Sequence, residues 1–150
     1  MALSKLKITT CLWFDGQAEE AANFYTSIFS NSKFLSAHPH LEAGKEIHGQ
    51  DPGTAMIVEF DLDGHRFVDL NGGPKYNFNE AVSFQIDCAN QEEVDYYWGK
   101  LGEGGDPGKQ QCGWVADKFG VSWQVVPTAL KAMLGDKDLE AAGRAAEAMM

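Results

Sequence analysis

Basic residues are few in this chain. Lys and Arg together number 12 against 22 Asp and Glu, and the formal net charge over the 150 residues is -10. A chain this acidic repels phosphate backbones, and no cluster of Lys or Arg along the sequence offsets that repulsion. We therefore expect no nucleic-acid partner.

Long apolar runs and paired cysteines are also missing. No stretch approaches the ~20 residues that a membrane helix needs, and residues 1–7 lack the apolar segment of a secretory signal. The cysteines, Cys11, Cys88 and Cys112, are odd in number and form no Cys-x-x-Cys pair, which favours reduced thiols. We expect a cytoplasmic protein with no membrane partner.

An internal repeat is the most informative feature that the chain does contain. Residues 72 positions apart share their character through a strand and the helix after it. The aligned pairs include Leu12 with Phe84, Phe14 with Ile86, Asp15 with Asp87, Phe24 with Tyr96 and Phe29 with Leu101. A second offset, of 56, aligns Asp61, Gly64 and Phe67 with Asp117, Gly120 and Trp123. Because a half of this size buries little surface alone, the repeat predicts two modules around a shared core or cleft.

Periodicity predicts the elements of the first copy. A β-rich run, Ile8 to Phe14, precedes a helix that places Ala18, Ala21, Ala22, Tyr25, Ile28 and Phe29 on one face. Three strands are predicted after it, over Lys33 to His38, Thr54 to Leu62 and His65 to Asn71. Asp63-Gly64 between the last two is a hairpin signal.

The second copy is predicted to repeat this order. A strand, Ala81 to Asp87, leads to a capping-box start at Asn90 and Glu93. The helix that follows has a stripe predicted to be buried: Val94, Tyr97, Trp98 and Leu101. Strands are predicted around Gln110 to Ala116 and Val121 to Val126, and helices over Thr128 to Leu134 and Asp138 to Met150. We expect one domain over 1–150, with modules at about 7–74 and 80–127 and C-terminal helices in 128–150.

Several blocks resemble one protein family. They are Phe14 to Ala21, Asn23 to Tyr25, Leu70 to Pro74, Cys112 to Trp114, Asp117 to Gly120 and Ser122 to Pro127. In this order they resemble the PhnB-like branch of the vicinal oxygen chelate superfamily, which includes glyoxalase I, extradiol dioxygenases and the bleomycin and fosfomycin resistance proteins. The resemblance implies an α+β fold of paired βαβββ modules and a homodimer.

The branch is often labelled 3-demethylubiquinone-9 3-methyltransferase, and the residues do not favour that activity. A methyltransferase that uses S-adenosylmethionine usually has a glycine-rich turn from strand into helix. Here the glycine-rich segment, Gly102 to Gly108, follows a helix and precedes a strand. The segment is predicted to be a plain turn.

Strand alternation selects the residues that should face the cleft. The apolar residues of the first strand in each copy are predicted to face the helices: Leu12, Phe14, Phe84 and Ile86. Their neighbours are then directed to the cleft: Cys11, Trp13, Ser83 and Gln85. Gln124, on the last strand, resembles a metal ligand of the superfamily. Trp13, Gln85 and Gln124 would suit a small, flat, partly polar organic ligand, or the Trp13 ring would simply fill the cleft.

The superfamily's enzymes hold a divalent metal with His, Glu or Gln from these strands, and this chain departs from that pattern. Cys11 and Ser83 stand where histidines are expected. The repeat pairs Val68 with Gln124, and Asp69 would reach the same place only after a one-residue shift that reverses its face. We therefore expect no cofactor; were a metal bound, Gln124 and Asp69 would be its ligands.

Three functions remain open at this stage. One is a small-molecule binder or enzyme of unknown reaction acting at the cleft. A second is a metal-free protein that sequesters its ligand, as the drug-resistance binders do. A third is a metal-dependent lyase, isomerase or dioxygenase-like enzyme.

Overall fold

The computed structural model describes residues 7–39 and 55–134, and the chain divides into two units, Met1–Asn77 and Phe78–Met150. The predicted helix over Asp138 to Met150 lies outside the described residues. Across the described ranges, no helix combines the length and apolar character needed to span a membrane.

The first unit is built on a four-stranded sheet. Its elements are β1 (Thr10–Phe14), α1 (Ala18–Ile28), β2 (Ser32–Pro39), β3 (Ala55–Leu62) and β4 (His65–Asn71). The strand order is β1-β4-β3-β2, with β1 parallel to β4 and the other neighbours antiparallel. This is the predicted strand, helix and three strands. Ile8, expected at the start of β1, lies outside the strand and is 84% exposed.

Helix α1 packs its predicted face on this sheet. Ala18, Ala21, Ala22, Tyr25 and Ile28 are buried, as are Leu12 and Phe14 of β1. The Phe60 ring of β3 stacks on Phe67 of β4, with centroids 5.3 Å apart. Each large apolar side chain buried in this way contributes about 1.5–3 kcal/mol, so the helix–sheet interface is the main source of stability in this unit.

Asn71 joins the end of β4 to the start of α1. Its Oδ1 accepts a hydrogen bond from the backbone N–H of Ala18 at 2.9 Å, and its Nδ2 donates to the carbonyl of Ala55 at 2.8 Å. The first donors of a helix have no partner within the helix, and a side-chain acceptor stabilises them. Asn71 therefore fixes where α1 begins.

The second unit has a smaller sheet. Its elements are β5 (Ser83–Cys88), α2 (Gln91–Gly102), a 3₁₀ helix (Pro107–Lys109), β6 (Trp114–Ala116), β7 (Ser122–Pro127) and α3 (Thr128–Leu134). The strand order is β5-β7-β6, with β5 parallel and β6 antiparallel to β7. The strand predicted from Gln110 begins only at Trp114. The residues before it form the 3₁₀ helix and then a turn in which Cys112 and Gly113 both have positive φ. Over residues 78–134 this module thus has one strand fewer than the first.

Helix α2 begins at the predicted capping box. The Asn90 side chain accepts from the N–H of Glu93 at 2.9 Å, and Glu93 accepts in return from the N–H of Ala89 at 3.1 Å. Its predicted buried stripe is only partly correct. Leu101 is fully buried, whereas Val94 and Trp98 are half-buried and border a cavity of about 270 Å³. A three-stranded sheet covers less of a helix than the four-stranded sheet beneath α1.

Candidate functional site

Strand register brings polar side chains into rows across the second sheet. Gln124 of β7 lies between Gln85 of β5 and Trp114 of β6 and is the direct Cα partner of each. Ser122 likewise lies between Ser83 and Ala116. Since directly paired residues point to the same side of a sheet, both rows belong to one face, which we call the open face. The other face carries apolar residues, among them the buried Val115 and Trp123.

Side-chain hydrogen bonds join residues within and between these two rows. Gln85 Nε2 donates to Gln124 Oε1 at 3.5 Å, and Gln124 Nε2 donates to Ser83 Oγ at 2.8 Å. Both groups of the Gln124 amide therefore have partners, which fixes its orientation. Three of the residues predicted to face the cleft, Ser83, Gln85 and Gln124, are thus brought together.

A cavity of about 400 Å³ lies at the edge strand β6, beside Trp114. Ser122 and Ala116 from the second row line it, together with Val115 and the turn residues Gln111 and Cys112. Further lining residues are Glu80, Gly108 and Lys109. Its volume lies within the range of small-ligand sites, and its lining combines apolar walls with a few polar groups.

The cavity also carries an ion pair. Lys109 Nζ lies 3.0 Å from Glu80 Oε1, and the two side chains are 44% and 55% exposed. The hydrogen bond from Lys109 is the main reason that the pKa of Glu80 lies below its ordinary value. Glu80 is therefore a carboxylate at neutral pH.

Trp13 and Cys11 share the corresponding face of the first sheet. The Trp13 indole N–H donates to the Gly73 carbonyl at 2.8 Å, and its ring meets the Tyr76 ring edge-on with centroids 4.9 Å apart. Neighbours in its own unit thus hold Trp13. Cys11 is exposed as a residue, but partial burial of its thiol, followed by the charge of Asp69, raises its pKa. A thiol in that state is a weak nucleophile.

Asp69 occupies the opposite face of the first sheet from Cys11. It is fully buried and alternates with the buried Phe67 and Asn71, whereas Val68 is the direct partner of Cys11. In the second sheet Gln124 is the partner of Gln85, and the repeat aligns Gln85 with Trp13. The partner of Trp13 is Leu70, so Leu70 is the structural counterpart of Gln124. The repeat had instead paired Gln124 with Val68, two residues away. The face is nevertheless the same, since side chains alternate with a period of two.

These positions do not fit the metal that the superfamily implies. The first and last strands of each unit present a thiol of raised pKa, a hydroxyl, apolar side chains and amides, and Asp69 faces α1. Structural and catalytic zinc or iron sites use imidazoles, thiolates and carboxylates instead. Within residues 7–39 and 55–134, no three His, Cys, Asp or Glu side chains gather into a possible metal site.

Trp114 and Ser122 are site residues that sequence reasoning missed. Trp114 was not among the residues predicted to face the cleft, yet it lies on the open face beside Gln124. The sequence did contain a signal for Trp114, because antiparallel pairing across the Asp117 to Gly120 turn places Trp114 opposite Gln124. To use that signal, one would need to know that β6 is three residues long.

The chain belongs to the family described as 3-demethylubiquinone-9 3-methyltransferase, whose model matches residues 6–126. Its α+β fold of repeated strand–helix–strand modules is the fold that the resemblance to the vicinal oxygen chelate proteins implied. A PhnB protein from Bacillus cereus, described under the same methyltransferase name, is 36% identical, with a TM-score of 0.69, over 81% of this chain and 99% of that one.

More distant structures share the fold. Protein PA1353 from Pseudomonas aeruginosa is 19% identical, with a TM-score of 0.62, over 82% of this chain and 98% of that one. The fosfomycin resistance protein FosX from Listeria monocytogenes is 17% identical, with a TM-score of 0.52, over 90% of this chain and all of that one. A search of the curated proteins found no match.

Proposed function

We propose that this protein binds a small, flat, partly polar organic molecule on the open face of its second sheet. The observation that carries the proposal is the row Gln85, Gln124 and Trp114, in which Trp114 lines the cavity of about 400 Å³ and Gln124 lines the cavity of about 270 Å³. An indole wall next to ordered amides supplies apolar contact together with a fixed pattern of donors and acceptors. Such a site selects ligands by shape and hydrogen bonding.

The order of the amides is the second support. Because Gln124 is held between Gln85 and Ser83, it needs little reorganisation when a ligand arrives. Preorganised polar groups lose less conformational entropy on binding than mobile ones. A carbonyl or hydroxyl on the ligand would pair with the remaining donor and acceptor capacity of the two amides.

Sequestration without turnover is the form of this function that the residues favour. A binder needs an apolar wall and polar anchors, which the open face provides. An enzyme would in addition need an activated acid, base, nucleophile or metal, and the thiol of Cys11 has its pKa shifted away from nucleophilic use. The drug-resistance proteins of the superfamily supply the analogy.

The metal-dependent alternative has a direct test. Metal content of the purified protein is measured by mass spectrometry, and melting is followed after adding nickel, zinc, manganese or iron. Stoichiometric metal, or a melting shift that is lost in Gln124→Ala, would replace sequestration by a metal-dependent enzyme. We expect neither result.

The methyltransferase reaction in the family's name is not part of this proposal. The segment Gly102 to Gly108 runs from the end of α2 into the 3₁₀ helix, so it offers no strand-to-helix turn for a cofactor. Calorimetry with S-adenosylmethionine checks this, and we expect no heat of binding.

We further propose a cytoplasmic homodimer. The superfamily resemblance supports the dimer, and the free thiols Cys11, Cys88 and Cys112 suit a reducing compartment. Sedimentation equilibrium should give twice the chain mass of 16.4 kDa. A single-chain mass at micromolar concentration would refute the dimer.

The binding proposal is tested with a melting screen of planar, uncharged aromatic compounds that carry a carbonyl or hydroxyl. Hits should raise the melting temperature of the native protein and of a Tyr96→Ala control, which alters a residue 42% exposed on α2. Trp114→Ala should abolish the shift while leaving the circular-dichroism spectrum unchanged. Hits that stabilise the Trp114→Ala protein equally would place the site elsewhere.

A further inference from the structure

The cavity beside Trp114 holds one charge of each sign. Glu80 precedes β5 and Lys109 ends the 3₁₀ helix, and both side chains line the cavity while they pair with each other. The remaining lining residues are uncharged: Gly108, Gln111, Cys112, Trp114, Val115, Ala116 and Ser122. Glu80 and Lys109 are therefore the charged groups that a ligand in this cavity would meet.

The pair is easily exchanged. Both side chains are about half exposed, and ion pairs in that setting contribute little to folding because water screens them. A ligand that gives Glu80 and Lys109 each a new counter-ion therefore loses little binding free energy when it separates the pair.

Single charges on a ligand are poorly matched to this arrangement. A simple anion must displace the Glu80 carboxylate from Lys109 and must also approach a protein of net charge -10. A simple cation must displace Lys109 from Glu80 and leaves the ammonium without its partner. A molecule with both charges compensates both residues at once, and its net charge of zero removes the long-range repulsion.

We propose that the cavity binds a free α-amino acid with an apolar side chain. Its carboxylate accepts hydrogen bonds from Lys109 Nζ, its ammonium donates to the Glu80 carboxylate, and its side chain packs against Trp114. This deepens the proposed function, on which it rests, by naming the ligand class. A volume of about 400 Å³ lies within the range of sites for molecules of this size.

Calorimetry with L-phenylalanine and its two half-charged analogues tests the proposal. The analogues are 3-phenylpropionate, which lacks the ammonium, and phenethylamine, which lacks the carboxylate. We expect L-phenylalanine to bind at least about five-fold more tightly than either analogue, as expected for one additional charge-assisted contact. An analogue that binds as tightly as L-phenylalanine would overturn the proposal.

Charge variants locate the two contacts. Lys109→Met and Glu80→Gln should each weaken L-phenylalanine binding about five-fold, whereas Lys100→Met and Glu92→Gln, at exposed positions of α2, should leave it unchanged. The exchange of both residues, Glu80→Lys with Lys109→Glu, keeps one charge of each sign and should restore binding. Melting curves confirm that each variant is folded. Equal affinity in all variants would overturn the proposal.

Failure here is distinguishable from failure of the proposed function. If none of the three compounds binds at millimolar concentration while the uncharged aromatic screen yields hits that depend on Trp114, the amino-acid ligand is wrong and the site stands. If neither set yields a ligand that depends on Trp114, both are wrong.

Discussion

Gln124 donates its side-chain amide hydrogen to the hydroxyl of Ser83 at 2.8 Å, across the parallel pair β5 and β7. The same amide accepts from Gln85, so a single side chain connects the polar residues of the open face. Because Gln124 is only half-buried, its hydrogen bonds should stabilise the site more than the fold.

Removing the Ser83 hydroxyl should therefore lower the free energy of unfolding only slightly, by an amount that depends on the Gln124 side chain. Ser83→Ala leaves the Gln124 donor without this acceptor, and we expect the free energy of unfolding to fall by about 1 kcal/mol. Ser83→Thr, which keeps the hydroxyl, should lose less. In urea unfolding, Ser83→Ala should cost almost nothing in a Gln124→Leu background, and full additivity would show that the two residues do not interact.

Gly72 is required because the Trp13 ring lies against it. A Cβ built at Gly72 would stand 2.3 Å from the indole, so Gly72→Ala forces the ring or the strand end to move. We expect a loss of about 3 kcal/mol, typical of overpacking.

Gly99→Ala is the matched control for this substitution. Gly99 lies within α2, and among the described residues no atom outside its chain neighbours and the adjacent helix backbone lies within 4 Å of the added Cβ, so alanine should stabilise the helix by about 0.5–1 kcal/mol. Thermal melts compare the two variants.

The double variant Trp13→Ala with Gly72→Ala should lose less stability than the sum of the two single variants, because removing the Trp13 ring also removes its clash with the new Cβ.

Asp117 should be the more important of the two aligned aspartates. It is buried, and its carboxylate accepts from the N–H groups of Phe119 and Val121 and from the indole of Trp123, at 2.9 to 3.1 Å. Asp117→Ala should lower the free energy of unfolding by about 3 kcal/mol, because it leaves buried donors unsatisfied.

Asp61, its counterpart in the repeat, pairs with Arg66 at 2.5 Å, and both side chains are only partly buried. Asp61→Ala should therefore cost clearly less than Asp117→Ala in urea unfolding. Equal losses would mean that the Asp117 network contributes little beyond a part-buried ion pair.

The Cys11 thiol should titrate above the ordinary range for cysteine. Partial burial and then the Asp69 charge raise its pKa, and both favour the protonated form. Its contribution to stability is thus complete below the unfolded-state pKa and is lost as the pH rises through the folded-state pKa. Iodoacetamide labelling of Cys11 across alkaline pH, quantified by peptide mass spectrometry, should show a higher midpoint in the folded protein than in urea. Coinciding midpoints would contradict this.

Much of the fold could be predicted because local patterns carry it. The alternation of Leu12 and Phe14, the 3.6-residue stripe of α1 and the Asn90 and Glu93 capping box each depend on neighbours in sequence, and the structure confirms them. The strand expected from Gln110 failed because turn geometry at Cys112-Gly113 overrides β propensity there.

The candidate site was less accessible to such reasoning. Ser83 and Gln85 were found from alternation, since side chains two residues apart share a face, and Gln124 was found from its resemblance to a ligand position of the superfamily. Trp114 was missed and Asp69 was considered for the cleft, because both depend on which residue lies opposite which across a sheet. Register between strands distant in sequence is set by long-range packing, and the repeat misaligned it by two residues.

The sequence alone determined the repeat, the order of most elements, the family and the faces of the strands, because periodicity and capping are local and the family's motifs are contiguous blocks. Tertiary structure decided which side chains meet. The row Gln85, Gln124 and Trp114, the Glu80–Lys109 pair in the cavity and the burial of Asp69 against α1 all join residues far apart in the chain. Such contacts form only once hydrophobic burial has fixed the helices on their sheets and strand pairing has fixed the register.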